Sequence, residues 1–358
     1  MSSGGATGYA ALNARVRVMY STLFTQQELN GLYETPDFNA LIGLLKNSDY
    51  SPYLERTKDK DLTPRRTAFQ IRSRLTDVYS SIIHMAPDHA RPLLAHRFSY
   101  FEVDNLKAVF RGIVAGASWD KIKFVLFPLG SESDLPLQGM AEAGNISAAV
   151  DLLRGTPYYE TLSHAMTRYS AEQNLFPLEV ALDLHYWRGL WKGVNALPSD
   201  DRVPALKIVG ALVDTTNLMW AIRYHVYHHL SDEELINYTL PFGYHVTDRD
   251  IRSIAAGADI AQLVKRIYPE LVDVDTLLQD PRKGLPELEL QLKRHVMKQC
   301  VAAFTGTPFH IGIPLAFLEL LELEIQDLTV LMEAKSAKGP FEDFRVYLMM
   351  GQLQKNVS

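Results

Sequence analysis

A single cysteine, Cys300, stands among the 358 residues, so no internal disulfide can form and the chain suits a reducing compartment. A lone thiol in this setting reads as a small buried apolar residue and not as a nucleophile. Long basic runs are missing as well. The chain has 36 Lys and Arg against 42 Asp and Glu, a net charge of −6 and a pI near 6.0. A nucleic-acid binder usually carries a basic face or tail, so that class of partner is disfavoured. No uncharged apolar stretch approaches the roughly 18–20 residues of a membrane span. The most apolar region, 311–325, is interrupted by Glu319, Glu322 and Glu324. The opening MSSGGATG has neither a basic region nor an apolar core, and it reads as a disordered lead-in, not a signal peptide.

Signatures of common chemistries are also absent. There is no phosphate loop, and the dipeptide Gly-Lys does not occur at all. H-E-x-x-H, C-x-x-C, the G-x-S-x-G nucleophile elbow and a dinucleotide glycine fingerprint are all missing. GTPYY (155–159) and GTPFH (306–310) are turn sequences. HVYHH (225–229) is the one cluster with metal-ligand spacing. His225 and His229 lie i, i+4 on a helix, but a catalytic zinc takes three protein ligands, and Asp232 or Glu233 would have to supply the third. Histidines near a helix C-terminus, where positive charge is favourable, are the plainer reading. The pair Glu319/Glu322 reads as a solvated stripe. No catalytic, cofactor-binding or metal residue is therefore assigned, no cofactor is expected, and partner-binding positions are not identifiable.

What the chain does contain is a repeat. Residues 100–112 read YFEVDNLKAVFRG, residues 213–225 read VDTTNLMWAIRYH, and residues 323–335 read LEIQDLTVLMEAK. Asn105-Leu106 matches Asn217-Leu218 and then Asp327-Leu328, the copies lying 112 and 110 residues apart. Three residues earlier stand Glu102, Asp214 and Glu324. Six residues after the Asn come Arg111 and Arg223, with Glu333 in the third copy. Pro87, Pro198 and Pro308 precede the three copies by 18, 19 and 19 residues, each after a helical stretch. Downstream of the first two come Ser118 and Ser231, then Pro128/Gly130 and Pro241/Gly243, then Gly144 and Gly257. Ser231 with Glu234, and Thr25 with Glu28, have the spacing of capping boxes.

The periodicity is helical. Leu106, Val109, Phe110 and Ile113 follow i, i+3, i+4, i+7, and Leu218, Ala221, Ile222 and Leu328, Leu331, Met332 repeat the pattern. No Asn-Gly or Asp-Gly turn lies between alternating β-branched runs. The expectation is an all-α chain of three similar units: a lead-in and helix at 1–24, then repeats at 25–117, 118–230 and 231–358. The recurring Asn and acids read as packing residues, with the acids serving helix dipoles or solvated faces. The functional alternative places Arg111 and Arg223 in one partner-binding cavity.

The chain resembles the C subunits of the rotary V/A-type ATPases, counterparts of the d subunit in the eukaryotic vacuolar enzyme. The resemblance is carried by YAALNARVRVMYSTLF (9–24), by the first two Asn-Leu helices with their caps, and by residues 314–348. It implies three helical domains about a pseudo-threefold axis, forming a funnel. It further implies a non-catalytic rotor part between the D and F subunits of the central stalk and the membrane ring, passing torque between ATP turnover and H+ or Na+ transport. Such a part is peripheral, at the cytoplasmic face of the membrane, with no span of its own, and the isolated chain is expected to be a monomer. A free-standing helical scaffold for another partner and a His-cluster metal enzyme are the alternatives.

Overall fold

The computed structural model describes residues 4–56, 58, 62–228, 230–338, 344 and 347–350, and among these there are helices and turns but no strand. Three pairs of long helices set the plan. They are Pro64–Met85 with Arg91–Val114, Phe176–Asn195 with Ser199–Arg223, and Pro281–Ala302 with Gly312–Ala337. Each pair turns at one of the three prolines, because proline fixes φ and cannot continue the preceding helix. The second helix of each pair carries one copy of the Asn/Asp-Leu motif. Short helices of four to eight residues fill most of the rest, with Gly4–Ser21 at the front and Tyr159–Glu172 ahead of the second pair. The helix Gly4–Ser21 takes in most of the stretch expected to be a disordered lead-in.

Two of the expected caps are made, while Ser118, at the start of the helix Trp119–Ile122, makes no side-chain cap bond. Thr25 with Glu28 and Ser231 with Glu234 form complete capping boxes. Thr247 with Asp250 forms a third, beyond the two expected. Gly144 and Gly257, at matching places in the first two repeats, adopt φ of 76° and 78°, a left-handed stop that glycine takes without steric cost. The only Asn-Gly pair, Asn30-Gly31, lies inside the helix Gln26–Tyr33 and not in a hairpin.

The motif faces are core. Leu106, Val109, Phe110, Leu218, Ala221, Ile222, Leu328, Leu331 and Met332 are all buried, as is Cys300. One expectation needs correction. Ser199–Tyr227 is long and apolar enough to cross a membrane by length and composition, although no single uncharged run shows it. Its most apolar window is 72% buried inside the protein, and Asp214 and Asn217 are buried on it, as in the core helix of a packed domain.

The residues group into two compact units. One comprises Met1–Ala10 and Trp187–Ala316, the other Ala11–Tyr186 and Phe317–Ser358. Within the first unit the helix Val274–Gln279 abuts the start of Pro281–Ala302 so closely that a Cβ on Gly284 would lie 1.9 Å from the Leu277 carbonyl oxygen. Gly139, inside the helix Leu137–Glu142, has only a Leu152 methyl at 3.7 Å. Gly284→Ala should therefore lower the melting temperature clearly, because backbone must move. Gly139→Ala should hold or raise it, helix propensity adding up to about 1 kcal/mol of stability. Thermal melting of the two variants checks the pair, and equal effects would contradict the packing described.

Candidate functional site

The repeated polar residues fasten loops. Asn105 Nδ2 donates to the Phe127 carbonyl at 2.8 Å, and Phe127 N–H donates back to Asn105 Oδ1 at 2.7 Å. Asn217 does the same with Leu240, at 2.9 and 2.8 Å. A side-chain amide carries one donor and one acceptor side, so it matches a peptide group as another backbone would. Asp327 has no donor. The chain there offers two N–H groups instead: Met349 N–H at 2.9 Å and Met350 N–H at 2.7 Å bond its carboxylate. The third copy's departure from Asn is thus matched by a different presentation of the fastened segment.

The acids three residues earlier are buried acceptors or contact buried partners, which corrects the dipole or solvated reading. Asp214 accepts from the N–H groups of Tyr244 and His245 at 2.7 and 2.6 Å. Glu324, fully buried, accepts from Phe24 N–H at 2.6 Å and Tyr50 Oη–H at 2.9 Å, with Arg74 Nη1 at 3.4 Å. Glu102 accepts from the Tyr158 hydroxyl. None of these partners lies within the same helix, so helix periodicity alone could not reveal them.

Glu319 and Glu322 also overturn expectation. Both pair with the buried Arg97, Nε to Glu319 at 2.6 Å and Nη2 to Glu322 at 2.8 Å, and the guanidinium sits over the rings of Tyr100 and Phe101. The apparent stripe is a core ion cluster, because its cation comes from a helix more than 200 residues earlier in the chain. Removing one partner of such a cluster leaves an uncompensated buried charge and is costly. Burial pushes the Glu322 carboxyl up to about 7, with Arg97 opposing and Glu319 adding to the shift.

Arg111 and Arg223 each pair with a glutamate on the next long helix. Arg111 Nε meets Glu179 at 2.7 Å, and Arg223 Nη2 meets Glu289 at 2.5 Å. The third copy's Glu333 instead acts on Arg72, whose guanidinium is otherwise disfavoured by burial. The sign reversal at Glu333 thus has a cationic counterpart.

Of the histidine cluster, His225 is exposed in a π-helical turn at Tyr224–His228, and His229 lies outside the described residues. Among the described residues no group of three His, Cys, Asp or Glu side chains could hold a metal. The sequences 155–159 and 306–310 are turns or loops, apart from the helix start at Tyr159.

The described residues thus form a helical repeat whose polar side chains fasten its own loops. The profile of the ATP synthase (C/AC39) subunit family matches residues 12–345, and the chain belongs to that family. It is 26% identical to the C subunit of the A-type ATP synthase of Methanocaldococcus jannaschii over 345 residues, covering 95% of this chain and 86% of that one. It is 25% identical to the C subunit from Methanothermobacter thermautotrophicus, over 92% and 85% of the two chains. With the C subunit from Methanococcoides burtonii it shares 24% identity over 97% and 96%.

The Asp327 fastening titrates. Burial pushes its carboxyl up to about 7, against the Met349 and Met350 N–H bonds, while Glu324 adds to the rise. An unfolded Asp titrates near 3.9. A carboxyl that holds its proton more tightly when folded lends stability below about pH 4, and that stability is lost as pH rises through about 7. Between about pH 5 and 7 the loss approaches about 1.4 kcal/mol per pH unit. Asp327→Asn should flatten the fall of melting temperature over this range, leaving the slope from Glu322 and Asp214, which burial shifts the same way. A slope identical to that of the unmodified chain would contradict the assignment.

Proposed function

We propose that this chain is the non-catalytic rotor component that joins the central shaft, built of the D and F subunits, to the ion-carrying ring of an A-type ATP synthase. It lies at the cytoplasmic face of the membrane and passes torque between ATP turnover and H+ or Na+ movement. The observation that carries the reading is the family match across nearly the whole chain, with relatives named as the C component of that synthase over comparable lengths.

The physical character of the chain supports it. A torque element must resist shear, and each motif helix here holds a loop 22 or 23 residues downstream by paired hydrogen bonds. Three helix pairs with this fastening, following one another in sequence, support a division into three similar repeats at 25–117, 118–230 and 231–358. Repeated helical units share their packing residues, and close-packed interiors transmit strain. A coupler needs no phosphate loop, and the sequence has none. Among the described residues no observation favours a metal enzyme or an unrelated scaffold.

Gel filtration of the purified chain, alone and mixed with the D–F pair of the same organism, tests the proposal. A one-to-one-to-one complex at micromolar concentration is the expected result. Separate elution of the chain and the pair would overturn it.

A further inference from the structure

A cleft of about 270 Å³ opens in the unit containing residues 187–316, between the start of the helix Ser199–Arg223, the Tyr244–His245 loop and the end of the helix Pro281–Ala302. Its wall carries Lys207, three imidazoles (His245, His295 and His310) and the Gln299 amide, and no acidic side chain lines it. In a chain with 42 acids against 36 bases that composition is a local reversal of sign.

Lys207 and His310 carry the donors. Lys207 is exposed and pairs with no carboxylate among the described residues. His310 Nδ1 accepts the Gly312 N–H at 3.1 Å, which places the proton of the neutral ring on Nε2. His295 donates Nδ1–H to Glu270 at 2.6 Å, so the nearby Glu270 charge is already engaged. Asp214, behind the loop, is held by the N–H groups of Tyr244 and His245. Glu270 and Asp214 therefore have partners of their own, as does Asp201, which accepts from Ile311 N–H and the Tyr9 hydroxyl, and the Lys207 ammonium lines the cleft without a carboxylate partner among the described residues.

The volume falls just below the range of about 300–1,000 Å³ typical of clefts for drug-sized ligands, so a compact anion fits better than an extended one. We infer that this cleft binds a small tetrahedral oxyanion, phosphate in its free or monoester form, through Lys207, the His310 Nε2–H and the Gln299 amide. Charge-assisted hydrogen bonds to such an anion are the strong kind, and the ligand would tie the N-terminal part of one long helix to the C-terminal end of another. The inference stands independently of the rotor proposal.

Titration calorimetry on the full chain at fixed pH and ionic strength, with chloride as the reference salt, provides the test. Inorganic phosphate and glycerol phosphate are the two probes. Saturable binding of either supports the site, and the tighter probe identifies the free or the esterified source. Lys207→Gln, an exposed change, should weaken binding about tenfold, as expected for one lost charged contact. Lys283→Gln, at an exposed lysine that does not line the cleft, should bind as the unmodified chain does. Absence of saturable binding for both probes would overturn the inference. So would an equal loss in the two lysine variants, which would mean diffuse charge attraction.

Discussion

One constraint shapes this chain: buried peptide groups of an irregular segment need hydrogen-bond partners, and no sheet among the described residues supplies them. The second helix of each long pair meets that need with a single Asn or Asp. Asn105 and Asn217 each bond both the N–H and the carbonyl of one residue, Phe127 and Leu240, and Asp327 receives the N–H groups of Met349 and Met350. The loops are thereby bound to the helices that precede them, and the helices present their apolar faces to the core. Replacing such a partner would leave a buried donor and acceptor unmatched, a larger loss than the net worth of the bonds themselves.

The acids at the neighbouring position extend the same principle. Asp214 and Glu324 take backbone N–H groups, and Glu324 adds a tyrosine hydroxyl and Arg74. Arg97 between Glu319 and Glu322 buries charge in the core, where a pair is sensitive to geometry and tolerates little displacement. Polar contacts of this kind fix the register of helices that apolar packing alone would allow to slide. Such fixed register is a property of the fold of this ATP synthase (C/AC39) subunit family member.

Much of this plan is readable from the residues, and the unread part has a physical reason. The Asn-Leu spacing, the proline turns and the boxes at Thr25 and Ser231 are local, so helix periodicity and capping chemistry reveal them. The ends of the long-range bonds are not local. Tyr50 and Phe24 lie 274 and 300 residues from Glu324, and no spacing rule reaches that far. Glu319 and Glu322 escape a sequence reading for the same reason, since a glutamate on an apolar helix looks solvated until its arginine is found. Ser199–Tyr227 shows the opposite difficulty: its charges are sparse enough to resemble a membrane span, and its burial within the protein explains that composition.

Amide hydrogen exchange at Phe127, Leu240 and Met349 tests the central claim most directly, because each of these N–H groups is bonded to a side chain and not to a helix or sheet. If the side chains fasten the loops, these three amides exchange as slowly as interior helix amides, on the timescale of subglobal opening. Exchange at the rate of open chain, with the long helices still protected, would show that the loops are not held and would contradict the account.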